Sequence, residues 1–365
     1  MSDRRGFIKK MALGTTAVGL TGVSFSNCFA QKQNKKIGVA LVGLGYYRTD
    51  LLAPAFEFTE HCYLAGIVTG SPEKAKRWQK AYNIPDQNIY DYENFDSIAN
   101  NDSIDVVYIV LPPFMHKEFT IRAAKAGKHV WCEKPMAMTE EECVAMINAC
   151  KDNKRMLTIG YRMQHEPNTQ EVIRFGKEQT FGAVQFLSVA AGYNGNWQNA
   201  KGHWRLEQKK GGGAMYDMGV YCLNAARYVT GEEPKAVFAQ AFNNDPVIFA
   251  KADMTTSFQL EFPSGAIANC LTSVGISVNY LNVTATEGWY NLSPFQQYSG
   301  IKGETSNGPL NQVIPNQQAK QMDDDALAIL NNQAVIVPGE EGLKDIRIVE
   351  AIQKSTKMGC RVKID

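Results

Sequence analysis

The chain is poor in residues that build metal centres. Its five histidines and eight cysteines show no CxxC, HxxxH or HExxH spacing, so the sequence offers no metal site. An excess of charge is also missing. The 38 basic residues stand against 37 acidic ones, a net charge of +1, which provides no field for nucleic acid or an anionic membrane. No internal repeat and no low-complexity linker interrupts the chain. With 44% hydrophobic and 21% charged residues, general disorder, a collagen-like chain and a disulfide scaffold are all excluded. Its 365 residues instead predict two or three globular domains.

Long apolar runs are scarce as well. The run Met11 to Phe25 is too short, and too rich in Gly, Thr and Ser, to span a membrane. A basic head (Arg4, Arg5, Lys9, Lys10), this apolar middle and the small-residue end Cys28-Phe29-Ala30 make residues 1–30 a secretory signal. Arg4-Arg5 with Phe7 and Lys9 resembles the twin-arginine (Tat) pattern, which implies a periplasmic protein. A basic tail carrying Arg-Arg by chance, or a lipoprotein anchored through Phe25 to Cys28, are the alternatives. Seven scattered cysteines would remain after cleavage, an odd number best read as buried free thiols.

From residue 36 strand and helix patterns alternate. Ile37–Val42, Tyr63–Thr69, Asp105–Leu111 and Lys128–Cys132 are strand-like. Pro72–Tyr82 and His116–Gly127 are helical between them. The continuous apolar run Asp105–Leu111 suits a buried parallel strand. The pattern predicts a doubly wound α/β dinucleotide domain over 31–160. The domain 161–365 reads as an open, mainly antiparallel sheet covered by helices. Its strand runs are Val184–Ala191, Ala236–Ala241, Thr255–Phe262, Ala266–Ser273 and Val278–Thr286. Helix-like stretches cover Gly211–Thr230, 317–331 and 342–358, and the last helices are placed to pack back on the first domain. Covering the open face of that sheet predicts a homodimer or homotetramer.

Four motifs carry chemistry. Gly43-Leu44-Gly45-Tyr46-Tyr47-Arg48 follows the first strand, where bare glycine backbone and a helix N-terminus can receive a pyrophosphate; Arg48 replaces the third glycine of that fingerprint. After the second strand no carboxylate awaits an adenosine ribose. Thr69, Gly70, Ser71 and Lys74 instead suit a 2′-phosphate, favouring NADP over the alternative, NAD. Glu133-Lys134-Pro135 ends the strand run Lys128–Cys132, and Asp217 and Tyr221 share a helix face four residues apart.

These pieces, together with Tyr90-Asp91-Tyr92, Ile159-Gly160-Tyr161-Arg162, Trp204-Arg205-Leu206 and Gly231-Glu232-Glu233-Pro234, resemble the Gfo/Idh/MocA oxidoreductases, and within them the glucose-fructose oxidoreductase branch. The resemblance covers residues 36–365. It implies an exported, NADP-dependent sugar oxidoreductase that moves a hydride between a pyranose carbon, C1 by preference, and nicotinamide. Lys134 would stand by the reacting hydroxyl, with a cis bond to Pro135. Tyr221 would take the hydroxyl proton, with Lys134 favouring the phenolate, and Asp217 would hold the substrate hydroxyl. The implied cofactor contacts add Tyr92, Leu111, Pro112, His116, Glu133, Arg162, Trp204 and Arg205 to the residues above. Small-molecule sugars are the expected partners, with no membrane association after signal cleavage. A nicotinamide-dependent glycosidase or lyase without net redox change, or a non-catalytic sugar- or nucleotide-binding relative, are the alternatives.

Overall fold

Residues 35–364 are described by the structure, a computed structural model; the expected export segment and Cys28 lie outside the described residues. The first sheet follows from strands that have no polar face. β1 (Ile37–Val42) is buried along its whole length, as is β4 (Val106–Ile109), so both need cover above and below. Between and beside them run β2 (Cys62–Val68), β3 (Ile89–Tyr90), β5 (His129–Cys132) and β6 (Leu157–Ile159). The order is β3-β2-β1-β4-β5-β6, all parallel, which is the Rossmann arrangement. Alternate side chains divide its faces. Val39, Leu41, Val106, Tyr108 and Trp131 pack on one side with Met322 and Ala326 of the helix Gln317–Leu330. Ala40, Val42, Val107, Ile109, Val130 and Cys132 join the main core on the other.

The second sheet has nine strands. In chain order they are β7 (Val184–Asn194), β8 (Ala236–Phe242), β9 (Thr255–Glu261), β10 (Ile267–Ser273), β11 (Gly275–Ala285), β12 (Gly288–Leu292), β13 (Gly303–Thr305), β14 (Gly308–Leu310) and β15 (Val362–Lys363). They are arranged β14-β13-β12-β11-β7-β10-β9-β8-β15, antiparallel except where β10 meets β7. The Pro263-Ser264-Gly265 turn closes β9 onto β10, with Phe262 N–H on the Ala266 carbonyl at 3.0 Å. The helix Gly339–Met358 packs on β8 and on the helix Glu140–Asp152 of the first domain, and Ile159 N–H donates to the Val337 carbonyl at 2.9 Å. The last helices do return to the first sheet. Outward-facing Phe186, Phe238 and Trp289 leave the other face of the second sheet part apolar.

One expected helix is shorter than its sequence pattern. Helical structure begins at Ala214, not Gly211, and opens with a π-turn, Met215–Gly219, before the α-helix Val220–Thr230. The three glycines are a junction. A Cβ on Gly211 would strike Pro113, one on Gly212 the Arg205 carbonyl, and one on Gly213 (φ +94°) the Asp253 carboxylate at 2.1 Å. Among the described cysteines six are buried free thiols, whereas Cys360 is exposed.

Candidate active site

The parallel sheet puts the strand ends of the first domain on one edge. Gly43, Thr69, Leu111, Glu133 and Arg162 each follow within three residues of a strand's C-terminus, the edge where open α/β sheets bind ligands. Gly43 sits at φ +82°, and a Cβ there would lie 2.8 Å from Leu111 Cδ2, so only glycine fits the turn. The Leu44 and Gly45 amides have no partner among the described residues, and they are left for anionic oxygens. Thr69 Oγ accepts from Ser71 N–H at 3.2 Å, and Ser71 Oγ accepts from Lys74 N–H at 3.4 Å as the cap of Pro72–Tyr82. Both hydroxyls keep their own hydrogen for a ligand. Lys74 is exposed on the first turn of that helix. The Tyr92 ring covers Gly70, where a Cβ would approach it to 3.1 Å. This cradle, with its unused amides and bare glycines, fits a nicotinamide dinucleotide.

The facing wall is shared between the two domains. Lys134, after β5 and joined to Pro135 by a cis bond, donates from Nζ to the Asp217 backbone carbonyl at 2.6 Å. The same ammonium lies 4.4 Å from the centroid of the Tyr221 ring. Lys134 therefore meets the ring face of Tyr221, and it meets Asp217 through the main chain. The Asp217 carboxylate is held instead by Tyr193 Oη at 2.8 Å and Arg205 Nε at 3.1 Å, both on Oδ2. Burial works to raise its pKa, but Arg205, Lys134 and the Tyr193 hydroxyl prevail and keep it ionised below the usual carboxylate range. Among the described residues nothing donates to Oδ1, and the Tyr221 hydroxyl has no hydrogen-bond partner. One acceptor and one phenol thus remain for a substrate. The π-turn places them, since its N-terminus is tied down by Asp253, whose Oδ2 accepts from Met215 N–H at 2.9 Å.

Several expected cofactor contacts serve other bonds. His116 is buried between the Leu111 carbonyl (Nε2, 2.8 Å) and the Pro135 and Met136 carbonyls (Nδ1, 3.0 and 3.2 Å), so it pins two strand-end loops together rather than facing the cleft. Glu133 is buried and accepts from Tyr108 Oη at 2.8 Å; burial raises its pKa. Arg162 is buried and grips the Gln296 and Gln297 carbonyls, while Tyr298 lies 4.6 Å from its guanidinium carbon. Arg205 belongs to the Asp217 carboxylate and stacks on Trp204 at 4.4 Å. Tyr46 is exposed, and Pro112 is half-buried in the loop after β4. Tyr47 turns inward to within 5.8 Å of the Tyr298 ring, and burial raises its pKa. Tyr193, Tyr298 and Asp253 are site residues that the sequence reading missed. They come from β7, from the loop after β12 and from the segment before β9, and no local motif marks them.

A Rossmann cradle facing a carboxylate, a phenol and a lysine defines an oxidoreductase of the sugar dehydrogenase type. The chain belongs to the Gfo/Idh/MocA family: residues 37–161 match the oxidoreductase family, NAD-binding Rossmann fold, and residues 169–291 match the GFO/IDH/MocA C-terminal domain. It is 40% identical to the aldose-aldose oxidoreductase from Caulobacter crescentus, solved with glycerol, over 90% of this chain and 100% of that one, with a TM-score of 0.86. It is 27% identical over 340 residues to the D-xylose 1-dehydrogenase [NADP(+)] of Haloarcula marismortui, covering 89% of this chain and 92% of the relative. The fold also matches scyllo-inositol dehydrogenase from Lactobacillus casei with bound NAD(H) and scyllo-inositol, at 18% identity over 90% and 99% of the two chains, with a TM-score of 0.76.

Proposed function

We propose that the protein is an exported sugar oxidoreductase that keeps NADP bound and transfers a hydride between it and a pyranose carbon, C1 by preference. The observation that carries this reading is the Lys134–Tyr221–Asp217 wall opposite the glycine cradle, with one carboxylate oxygen and one phenol uncommitted. Nicotinamide, when bound, supplies the hydride acceptor or donor. The chain's own residues do the rest. Asp217 Oδ1 accepts a hydrogen bond from a substrate hydroxyl and orients the carbon beside it. Tyr221 takes the proton of the reacting hydroxyl, with the Lys134 ammonium lying against its ring. Arg205 and Tyr193 keep Asp217 charged and fixed, so that it orients the hydroxyl without taking its proton.

The cofactor preference rests on Thr69, Ser71 and Lys74 after β2, with no carboxylate at the end of the strand itself. Likeness to the NADP-named D-xylose dehydrogenase supports it, and likeness to the NAD(H)-bound inositol enzyme is the reason to measure it. The twin-arginine pattern supports export in the folded state with the nucleotide aboard. An enzyme without an external nicotinamide pool must regenerate its cofactor in place, so oxidation of one sugar is coupled to reduction of another in a ping-pong cycle. The relative named aldose-aldose oxidoreductase supports a second aldose as acceptor. Mass spectrometry of the nucleotide released from purified protein, followed by a sugar panel read at the nicotinamide absorbance, tests the assignment. Co-purified NADP reduced by an aldose is the expected result. Bound nucleotide that no sugar reduces, or that cycles while an aglycone is freed, contradicts it.

A further inference from the structure

The nucleotide fingerprint after β1 is broken at its third glycine, where Arg48 stands. In an intact fingerprint that glycine lets helix and strand pack closely. Here the side chain doubles back over the loop. Arg48 Nε donates to the Gly43 carbonyl at 2.8 Å. A Cβ on Gly43 or Gly45 would meet the guanidinium at 2.8 and 3.2 Å. The guanidinium thus lies on the two glycines whose bare backbone leaves room for a pyrophosphate. It is half-buried, and desolvation pulls its pKa down to about 10, which leaves it cationic at neutral pH. Among the described residues no carboxylate pairs with it. A guanidinium has five N–H donors, and Gly43 occupies one. Glu133 reaches it only through space, without an ion pair, and partly burying a cation so weakly countered is costly, so an anion from outside the chain is the natural complement.

The other cations of the cleft are committed. Arg162 holds the Gln296 and Gln297 carbonyls, Arg205 holds Asp217, and Lys134 holds the Asp217 carbonyl. Lys74 stands beyond β2, exposed on the first turn of the helix Pro72–Tyr82. Building on the dinucleotide reading above, we propose that Arg48 is a pyrophosphate clamp, giving charge and a bidentate fork where the usual fingerprint gives close helix packing. Such a clamp slows nucleotide release, and it acts on NAD and NADP alike because both carry the pyrophosphate.

Titration of the full chain with ADP and with 2′-AMP, after any co-purified nucleotide has been removed, separates the two phosphate positions. Arg48→Gly restores the third glycine, and Arg48→Gln removes the charge while keeping most of the stem. Both variants are expected to weaken ADP about tenfold to a hundredfold, the scale of a charge-assisted phosphate contact, and to flatten the salt dependence of ADP binding. Affinity for 2′-AMP should stay as in the unsubstituted chain. If Arg48→Gly fails to fold, Arg48→Gln alone decides the matter. Unchanged or tighter ADP binding in the variants overturns the clamp, and so does a loss that falls on 2′-AMP instead. An unsubstituted chain that binds neither ADP nor NADP overturns the dinucleotide reading itself, a result distinct from intact binding that ignores Arg48.

Discussion

Tyr221→Phe removes one oxygen and nothing that holds the fold. The hydroxyl has no hydrogen-bond partner among the described residues, so its loss leaves no protein donor or acceptor stranded. The ring remains for Lys134 at 4.4 Å and for the Arg162 guanidinium carbon at 5.8 Å, and a phenyl ring attracts both cations nearly as well. Stability should therefore change by less than about 0.5 kcal/mol, the usual scale for a change that breaks no buried contact. Nucleotide and sugar binding should persist. Hydride transfer should fall at least ~100-fold, because the reacting hydroxyl loses its proton acceptor. The assay is single-turnover reduction of bound nicotinamide by excess sugar, run beside a thermal melt. A variant that melts like the parent and transfers hydride normally would refute the assignment and move proton removal to Lys134 or solvent. Loss of activity with a lowered melting point would show that the hydroxyl is structural.

Lys74→Ala should weaken NADP by about 1–3 kcal/mol and leave NAD nearly unchanged in nucleotide titrations; equal losses would make Lys74 a surface lysine only. Gly213→Ala forces a side chain at φ +94° toward Asp253, which caps the helix of Asp217 and Tyr221. It should cost about 2 kcal/mol or more in denaturant melts and lower kcat as well. His129 has its pKa lowered from 6.5 to about 4, by burial first and by Arg155 second, while its Nδ1 accepts from Met156 N–H at 3.0 Å. The folded state thus resists protonating a ring that the unfolded chain protonates readily. Stability should be full above the unfolded value of 6.5 and should fall as pH drops toward about 4. Discounted for partial exposure, the loss is on the order of 1–2 kcal/mol. His129→Gln should flatten that part of the stability–pH curve, and an unchanged curve would remove His129 as its cause.

The parallel strands could be read from the sequence because apolar runs such as Val106–Ile109 have only one place to go, the centre of a covered sheet. The strand-end motifs could be read for the same reason: once the strand is placed, Gly43, Thr69 and Lys134 fall on its binding edge. What the sequence hid is the second wall. Asp217 and Tyr221 read as an i, i+4 pair on one helix, but Asp217 lies inside a π-turn and Tyr221 in the α-helix after it, and the bonds that fix Asp217 come from Tyr193 and Arg205. Arg205 reads as a cofactor contact, and only the fold reveals the carboxylate that claims it. Gly211 to Gly213 read as a helix start, because close approach of Pro113, the Arg205 carbonyl and Asp253 leaves no local pattern. Tyr298 reaches the cleft from a loop far along the chain, where one aromatic among many carries no signal.

In the proposed cycle a hydride leaves one sugar, rests on a nucleotide the protein does not release, and passes to another. Steady-state turnover of an aldose donor with an aldose or ketose acceptor tests it, after exhaustive dialysis and with no nucleotide added. Sustained formation of oxidised donor and reduced acceptor in equal amounts, with parallel double-reciprocal plots, is the expected result. Turnover that appears only when free NADP or NAD is supplied, and rises in proportion to it, would contradict the closed cycle.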